Sequence, residues 1–259
     1  MYLPHGGGPC FFMEWTMGPP DTWDRLAAWL RRLPDLLPAP PRALLVVSAH
    51  WEEAVPTVSL AAHPDLIYDY YGFPPHTYEL TWPAPGAPEV AERAAELLAG
   101  AGFGVATTER GYDHGVFVPL KVAWPDADVR VATLSLRRDL DPAAHLEMGA
   151  ALEPLRDEGI VVIGSGMSWH NLAAFGSPAA TEPSRRFDAW LAETVASPPP
   201  ERRQRLAHWT DAPAARLAHP REEHLLPLMV AAGAAGADPG RIAFSDEPMG
   251  ARISAAVFA

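Results

Sequence analysis

The sequence predicts an α/β fold, a single domain with a central, mostly parallel or mixed sheet flanked by helices. Short, continuous apolar runs are typical of strands that are buried on both faces of such a sheet. Stretches with apolar residues at helical spacing separate these runs. The chain has 259 residues, enough for one large α/β domain, which we expect to span residues 1–259.

Helices and strands alternate along the chain. We predict helices over 21–33, 88–98, 142–156 and about 223–232, and strands over 43–48, 129–136, 160–164 and 253–258. Pro88 and Pro142 suit the first turn of a helix, Asp141 suits an N-cap, and Gly100 suits a helix end. The stretch 197–200 (SPPP) is the one candidate linker, but we expect the apolar tail after it to join the same sheet.

Composition excludes several classes of function. The formal net charge of −12 argues against nucleic-acid binding, which needs clustered Lys and Arg. No run approaches the roughly 20 apolar residues of a membrane span, and we find no targeting peptide. The single cysteine, Cys10, cannot form an internal disulfide, which fits a reducing compartment. We therefore expect a cytoplasmic protein.

Five of the ten histidines have contexts that suggest a site. Glycines near His5, His114 and His170 in the sequence allow a close approach of the backbone. His50 follows the run ALLVVS, and His170 follows IVVIG. Ligands of open α/β sheets bind beyond the carboxyl ends of the strands. The side chains of His50 and His170 are therefore expected at the same rim of the sheet. The fifth, His224, follows two glutamates near the start of the last predicted helix.

Each of these histidines also has a structural interpretation. One histidine after a strand is more often a hydrogen-bonded rim residue than a ligand, but five such positions together favour a histidine-built site. At the last position the sequence leaves two alternatives open. A helix N-terminus would keep His224 neutral and able to bind a metal, but Glu222 or Glu223 could be the ligand instead. We expect surface or core roles for the other five: His63, His76, His145, His208 and His219.

Other motifs are weaker. Residues 6–8 (GGG) lack the Lys-Ser/Thr of a phosphate loop, and residues 164–166 (GSG) do not have the spacing of a nucleophile elbow. Cys10 in its Gly, Pro and Phe setting indicates buried packing. The aromatic segment 68–74 (YDYYGFP) suits either a satellite core or the wall of a pocket for a flat aromatic molecule.

Six motifs together resemble one family. HGGGP, SAHW, YDYYGFP, YDHGVFVPL, GSGMSWHN and EHLLPL occur in the order and approximate spacing of the class III extradiol ring-cleavage dioxygenases, the LigB superfamily. Within that superfamily the chain is most similar to the 4,5-DOPA dioxygenase type. The resemblance covers nearly the whole chain, from His5 to the stretch 249–254 (MGARIS).

The resemblance implies a function and a site. It implies cleavage of a substituted catechol by O2 to a ring-opened semialdehyde, at an Fe(II) centre held by His5, His50 and His224, with Zn(II) as a metal often found in this branch. It makes His224 the third ligand in place of Glu223. It implies that His170 is the catalytic acid/base, and that His114 contacts the substrate or the dioxygen-derived oxygen. Neither the particular catechol nor the oligomeric state follows from it.

Two other functions fit the same scaffold. A zinc hydrolase would use an open coordination position to activate water, and its activity would not depend on oxygen. A non-catalytic binding protein would keep the cleft but hold little metal and take up no oxygen with catechols.

Overall fold

The computed structural model describes residues 1–259, and an eight-stranded sheet forms its centre. Strands β1 to β8 are Tyr2–Pro4, Ala43–Glu53, Thr57–Ser59, Ala106–Thr108, Val131–Arg137, Ile160–Gly166, Gly240–Asp246 and Ile253–Phe258. Their order across the sheet is β4-β3-β5-β2-β6-β1-β8-β7. The central strands β5, β2, β6 and β1 are parallel, whereas antiparallel pairs occur toward both edges. The α/β fold with a mixed, mostly parallel sheet is confirmed.

Eight α-helices accompany the sheet. Helices α1 to α8 are Asp24–Arg31, Pro88–Gly100, His114–Ala123, Pro142–Leu152, Pro178–Ala196, Pro199–Ala207, Ala215–Ala218 and Leu226–Gly233. Asp141 caps α4 as predicted, since its side chain accepts a hydrogen bond from the backbone N–H of Ala143 at 2.9 Å. Buried apolar side chains from the sheet and the helices form a common core. None of the helices combines the length and the apolar character needed to cross a bilayer.

The candidate linker at residues 197–200 does not interrupt the fold. Helix α5 ends at Ala196 and α6 begins at Pro199, so only Ser197 and Pro198 join them. Proline is tolerated in the first turn of a helix, where its missing N–H costs no hydrogen bond. The chain after this junction returns to the sheet as β7 and β8, and β8 pairs with β1 at the other end of the sequence.

The predicted start of the last helix is wrong. Helix α8 begins at Leu226 and not near Glu223. The reason is Pro227, which has no N–H to donate to the carbonyl of Glu223 and therefore fits only the first turn. His224 consequently lies in the turn before the helix, so the argument from the helix N-terminus loses its basis.

The predicted end of β2 is also wrong, because the strand continues past Ser48 to Glu53. Beside β5, strand β2 advances from Val47 to Glu52 while β5 advances only from Leu134 to Leu136. Such an irregularity inserts unpaired residues and turns side chains in new directions. His50 lies within this irregular stretch.

Candidate metal centre and its pocket

Three histidines from distant parts of the chain meet at the carboxyl ends of the central strands. His5 follows β1, His50 lies in the irregular part of β2, and His224 lies in the turn before α8. One ring nitrogen from each lies within 4.8 Å of those of the other two. The Nε2 atoms of His5 and His50 are 3.2 Å apart. The structure thus brings together the three imidazoles that the family resemblance implies as metal ligands.

Close backbone packing fixes the position of His224. Its carbonyl oxygen accepts hydrogen bonds from the hydroxyl of Tyr2 at 2.8 Å and from the backbone N–H of Met167 at 3.1 Å. A Cβ atom on Gly166 would lie only 2.2 Å from the same oxygen. Glycine at this position of β6 is therefore required for the turn to approach the sheet.

A second glycine makes room for His50. Gly115 lies in the first turn of α3, and a Cβ atom there would lie 2.7 Å from Oγ of Ser48 and 2.9 Å from Cδ2 of His50. The hydroxyl of Ser48 donates a hydrogen bond to Asp113, the N-cap of α3, at 2.7 Å. These contacts hold α3 against β2 and place His114, its first residue, beside His50.

Two of the three rings have Nδ1 occupied by a hydrogen bond. Nδ1 of His5 lies 2.8 Å from the carbonyl oxygen of Gly6, and Nδ1 of His224 lies 2.9 Å from Oε1 of Glu223. An oxygen acceptor at this distance assigns the proton to Nδ1 and leaves the lone pair on Nε2. Glu223 therefore contacts the far side of the His224 ring.

Asp69 faces two histidines at once. Its Oδ1 accepts hydrogen bonds from the backbone N–H and from Nδ1 of His114, both at 2.8 Å. Its Oδ2 lies 3.9 Å from Nδ1 of His50. Burial would raise the pKa of Asp69, but the hydrogen bonds and charge of His114 lower it overall. Asp69 is thus an ionised acceptor that orients His114 and faces the Nδ1 side of the His50 ring.

Glu223 also faces two histidines, on the other side of the cluster from Asp69. Its Oε1 lies 3.4 Å from Nδ1 of His170 as well as contacting His224. The rings of His170 and His224 stack with their centroids 3.3 Å apart. Burial would raise the pKa of Glu223, but the hydrogen bond from His170 lowers it overall, and Arg221 at 3.3 Å adds to this.

The three clustered imidazoles are neutral. Burial lowers the pKa values of His5, His50 and His224 well below the usual range, and the neighbouring histidines lower them further. A neutral imidazole is the form that binds a metal. The rings therefore offer uncharged nitrogen donors at neutral pH.

The donor set fits a divalent metal ion. Nε2 of His224 is buried and has no hydrogen-bond partner in the protein. Two nitrogens that each lie about 2.0–2.1 Å from one ion are at most about 4.2 Å apart. The 3.2 Å between His5 and His50 is within that limit. A bound cation would satisfy the buried, unpartnered Nε2 of His224.

A pocket opens above the cluster. It has a volume of about 540 Å³, and His5, His50, His114 and His170 form part of its wall. Typical small-molecule sites are about 300–1,000 Å³, so there is room for more than one aromatic ring. The rest of the wall consists of glycines and of aromatic, aliphatic and thioether side chains: Trp15, Met17, Trp23, Tyr70, Tyr71, Phe73, Met167, Leu172, Phe175 and Met249.

Segment 68–74 contributes both to the pocket wall and to the core. Tyr70 and Phe73 line the pocket, whereas Tyr68 packs edge-on against Phe117. Cys10 is buried, as expected. The five remaining histidines lie in the core (His145, His219) or on the surface (His63, His76, His208), and none of them lines the pocket.

Several residues of the site have little or no signal in the sequence. Asp69 stands inside the segment YDYYGFP, but its contact with His114 spans 45 residues of sequence. Trp15, Trp23, Leu172 and Met249 also line the pocket and come from separate segments. For Trp15 and Trp23, the only sequence feature that points to the pocket is the group of aromatic residues near His5.

Comparison with known proteins relates nearly the whole chain to one family of dioxygenases. The family model of the catalytic LigB subunit of aromatic ring-opening dioxygenase matches residues 2–257. The dioxygenase tasH of Hapsidospora irregularis is 40% identical over 97% of this chain and 82% of its own length. The 4,5-DOPA dioxygenase extradiol of Beta vulgaris is 43% identical over 76% of this chain and 74% of its own. A crystal structure of an uncharacterized Escherichia coli K12 protein matches with a TM-score of 0.76 and 31% identity, over 90% of this chain and 91% of that one.

Proposed function

Because the chain belongs to the LigB family of aromatic ring-opening dioxygenases, we propose that it cleaves a substituted catechol beside its diol with O2, using Fe(II) held by His5, His50 and His224. The observation that carries this proposal is the convergence of ring nitrogens from His5, His50 and His224 beside a pocket lined mainly by apolar side chains, with Nε2 of His224 buried and without a partner in the protein. The partners are a small-molecule catechol and O2. The only cysteine of the protein, Cys10, is buried and unpaired, which supports a cytoplasmic location.

The ligand set favours an anionic diol. Three neutral rings leave both positive charges of a divalent ion uncompensated by the protein, so a catecholate would be attracted. Bound iron would supply a redox-active Lewis acid through which the diol and O2 can react. Imidazole ligands also suit Zn(II), which has no redox chemistry. The choice of Fe(II) is thus part of the proposal and follows from the oxidative chemistry of the family.

His170 is the proposed acid/base. Its Nδ1 faces Glu223, so Nε2 is the nitrogen left to exchange a proton with a hydroxyl of the diol. It lines the pocket and stacks on His224, which places it beside the proposed ligand. We assign it the removal of a catechol proton and the later return of a proton as the ring opens.

His114 is the proposed hydrogen-bonding partner of the reacting oxygens. Asp69 accepts from its Nδ1, so Nε2 remains for the substrate. Its ring lies 3.9 Å, centroid to centroid, from that of His50. Held in this way, His114 can orient the diol before reaction.

Oxygen uptake tests the proposal directly. Protein loaded anaerobically with Fe(II) is mixed with a panel of substituted catechols, and air is then admitted. We expect one O2 consumed per catechol and a yellow product whose mass has increased by two oxygen atoms. Protein loaded with Zn(II) serves as the control and should consume none. Failure of every catechol to cause oxygen uptake, with one iron bound per chain, would contradict the proposal.

A further inference from the structure

The pocket wall contains no side chain that could neutralise a charged substrate. No Lys, Arg, Asp or Glu lines the cavity, and its titratable groups are four histidines and two tyrosines. The histidines lie at the base, where the diol is expected. Of the tyrosines, Tyr70 already donates its hydroxyl hydrogen to the carbonyl of Thr77 at 2.5 Å. The part of the cavity away from the cluster therefore has no charged side chain, and its polar side-chain groups are the hydroxyl of Tyr71 and the unpartnered indole N–H groups of Trp15 and Trp23.

Aromatic side chains of this wall pack against one another in pairs. Trp15 and Trp23 meet edge to face with centroids 5.5 Å apart, and Tyr70 and Phe73 meet in the same way at 5.6 Å. Leu172 contributes an aliphatic surface at the mouth, where it is 71% exposed. Such a wall stabilises a ring substituent by removing apolar surface from water.

The arginines next to the site residues are already paired. Arg221 lies against Glu52 and Glu223, Arg110 lies 3.2 Å from Asp113, and Arg252 lies 2.8 Å from Glu247. The chain also carries a net charge of −12, which repels anions at long range. A substrate carboxylate in this pocket would therefore lose its hydration and gain no counter-charge.

We propose that the natural substrate is a catechol whose ring substituent is uncharged and mainly apolar, and that the pocket discriminates against a carboxylate. The proposal rests on the proposed function, because the diol is taken to occupy the histidine cluster. DOPA carries a carboxylate and an ammonium group, and the wall offers no ion-pair partner for either. Aromatic faces attract an ammonium ion only weakly compared with the hydration that it loses.

Three catechols with different substituent charges test this preference. 4-Propylcatechol is neutral, dopamine has the same shape with a terminal ammonium, and 3-(3,4-dihydroxyphenyl)propanoate ends in a carboxylate that two methylenes separate from the ring. We expect kcat/KM of the Fe(II) protein to be at least tenfold higher for 4-propylcatechol than for either charged compound. A charged compound that matches or exceeds the neutral one would overturn the proposal.

Two further measurements separate the pocket from other causes. Repeating the assay in 1 M salt, where the Debye length is about 3 Å, screens the net charge of the protein but not the apolar wall. The preference should persist, and its loss in high salt would assign it to net charge and overturn the proposal. Calorimetric titration of Zn(II)-loaded protein measures binding of the same compounds without turnover. An unchanged order of affinities supports the proposed pocket even if no compound is cleaved, in which case only the proposed function fails.

Leu172→Arg adds a cation at the mouth of the pocket, where the exposed side chain leaves space for it. We expect the ratio of kcat/KM for the propanoate to that for 4-propylcatechol to rise at least tenfold. Leu36→Arg is the matched control, since Leu36 is also exposed but lies in a cleft beside Ile160, at the opposite end of the strands. A ratio that stays unchanged in Leu172→Arg, or rises equally in Leu36→Arg, would contradict the assignment of the wall to the substituent.

Discussion

Asp69 accepts two hydrogen bonds from His114 through one oxygen, from the backbone N–H and from Nδ1, both at 2.8 Å. Its other oxygen faces Nδ1 of His50. One carboxylate thus fixes the first residue of α3 and its ring, and lies behind a proposed metal ligand. Partners of this kind set the tautomer and orientation of the rings that act on metal and substrate.

Replacing Asp69 with Asn should lower activity while metal still binds. Asn removes the negative charge and keeps only one acceptor oxygen, so His114 is held less firmly. We expect kcat/KM to fall roughly 10- to 100-fold, the usual effect of losing such a partner. Oxygen uptake and metal analysis on the same preparation measure the two effects. Glu79→Gln, an exposed change in the same part of the chain, should leave both values unchanged. Full activity in Asp69→Asn would show that His114 needs no such support.

Removing His50 and removing His170 should have different consequences. Their side chains are almost equally exposed, at 20% and 19%, so a general effect of truncation should be similar in the two variants. We expect His50→Ala to lose its metal on dialysis, and His170→Ala to keep the metal but lose turnover. Metal content by elemental analysis, together with oxygen uptake, distinguishes them. Equal metal loss in both variants would overturn the assigned roles.

The thiol of Cys10 should be inert in the folded protein. Burial raises its pKa well above the usual range, and reaction with a disulfide reagent requires the thiolate. Because Cys10 is the only cysteine, titration with such a reagent is unambiguous. We expect almost no reaction at pH 8 under native conditions and one thiol per chain in denaturant. Rapid native reaction would mean that the segment after His5 opens readily.

Stability should fall in mild acid partly because of His219. Burial lowers the pKa of its ring to about 3 from 6.5, so the unfolded chain takes up a proton that the folded chain excludes. The stability due to the neutral ring is complete above pH 6.5 and is lost as the pH falls from there toward 3. Between pH 7 and pH 5 this costs roughly 2 kcal/mol of unfolding free energy.

His219→Gln tests this assignment. The amide can still donate to the carbonyl of Ser168, which lies 3.0 Å from Nε2 of His219, but it does not titrate. Urea unfolding at pH 7 and pH 5 should show a decrease about 2 kcal/mol smaller in the variant than in the parent protein. The parent and the variant losing the same amount would assign the acid sensitivity to other groups.

The sequence determined the main strands because local apolar runs are enough to specify buried strands. The run before His50, the run before His170 and the C-terminal tail all became strands of the sheet. It also placed His50 and His170 at one rim, since the carboxyl ends of neighbouring parallel strands are necessarily close. The predicted start of α8 is wrong even though Pro227 is a local signal against it.

The tertiary structure alone decided which groups face one another. The irregular pairing of β2 with β5 directs His50, and the contacts of Asp69 with His114 and of Glu223 with His170 join segments far apart in the chain. The uncharged pocket wall likewise collects side chains from separate loops. A sequence records periodicity and composition over neighbouring residues, whereas these contacts depend on how whole strands and helices pack, and that packing is fixed only when the complete core forms.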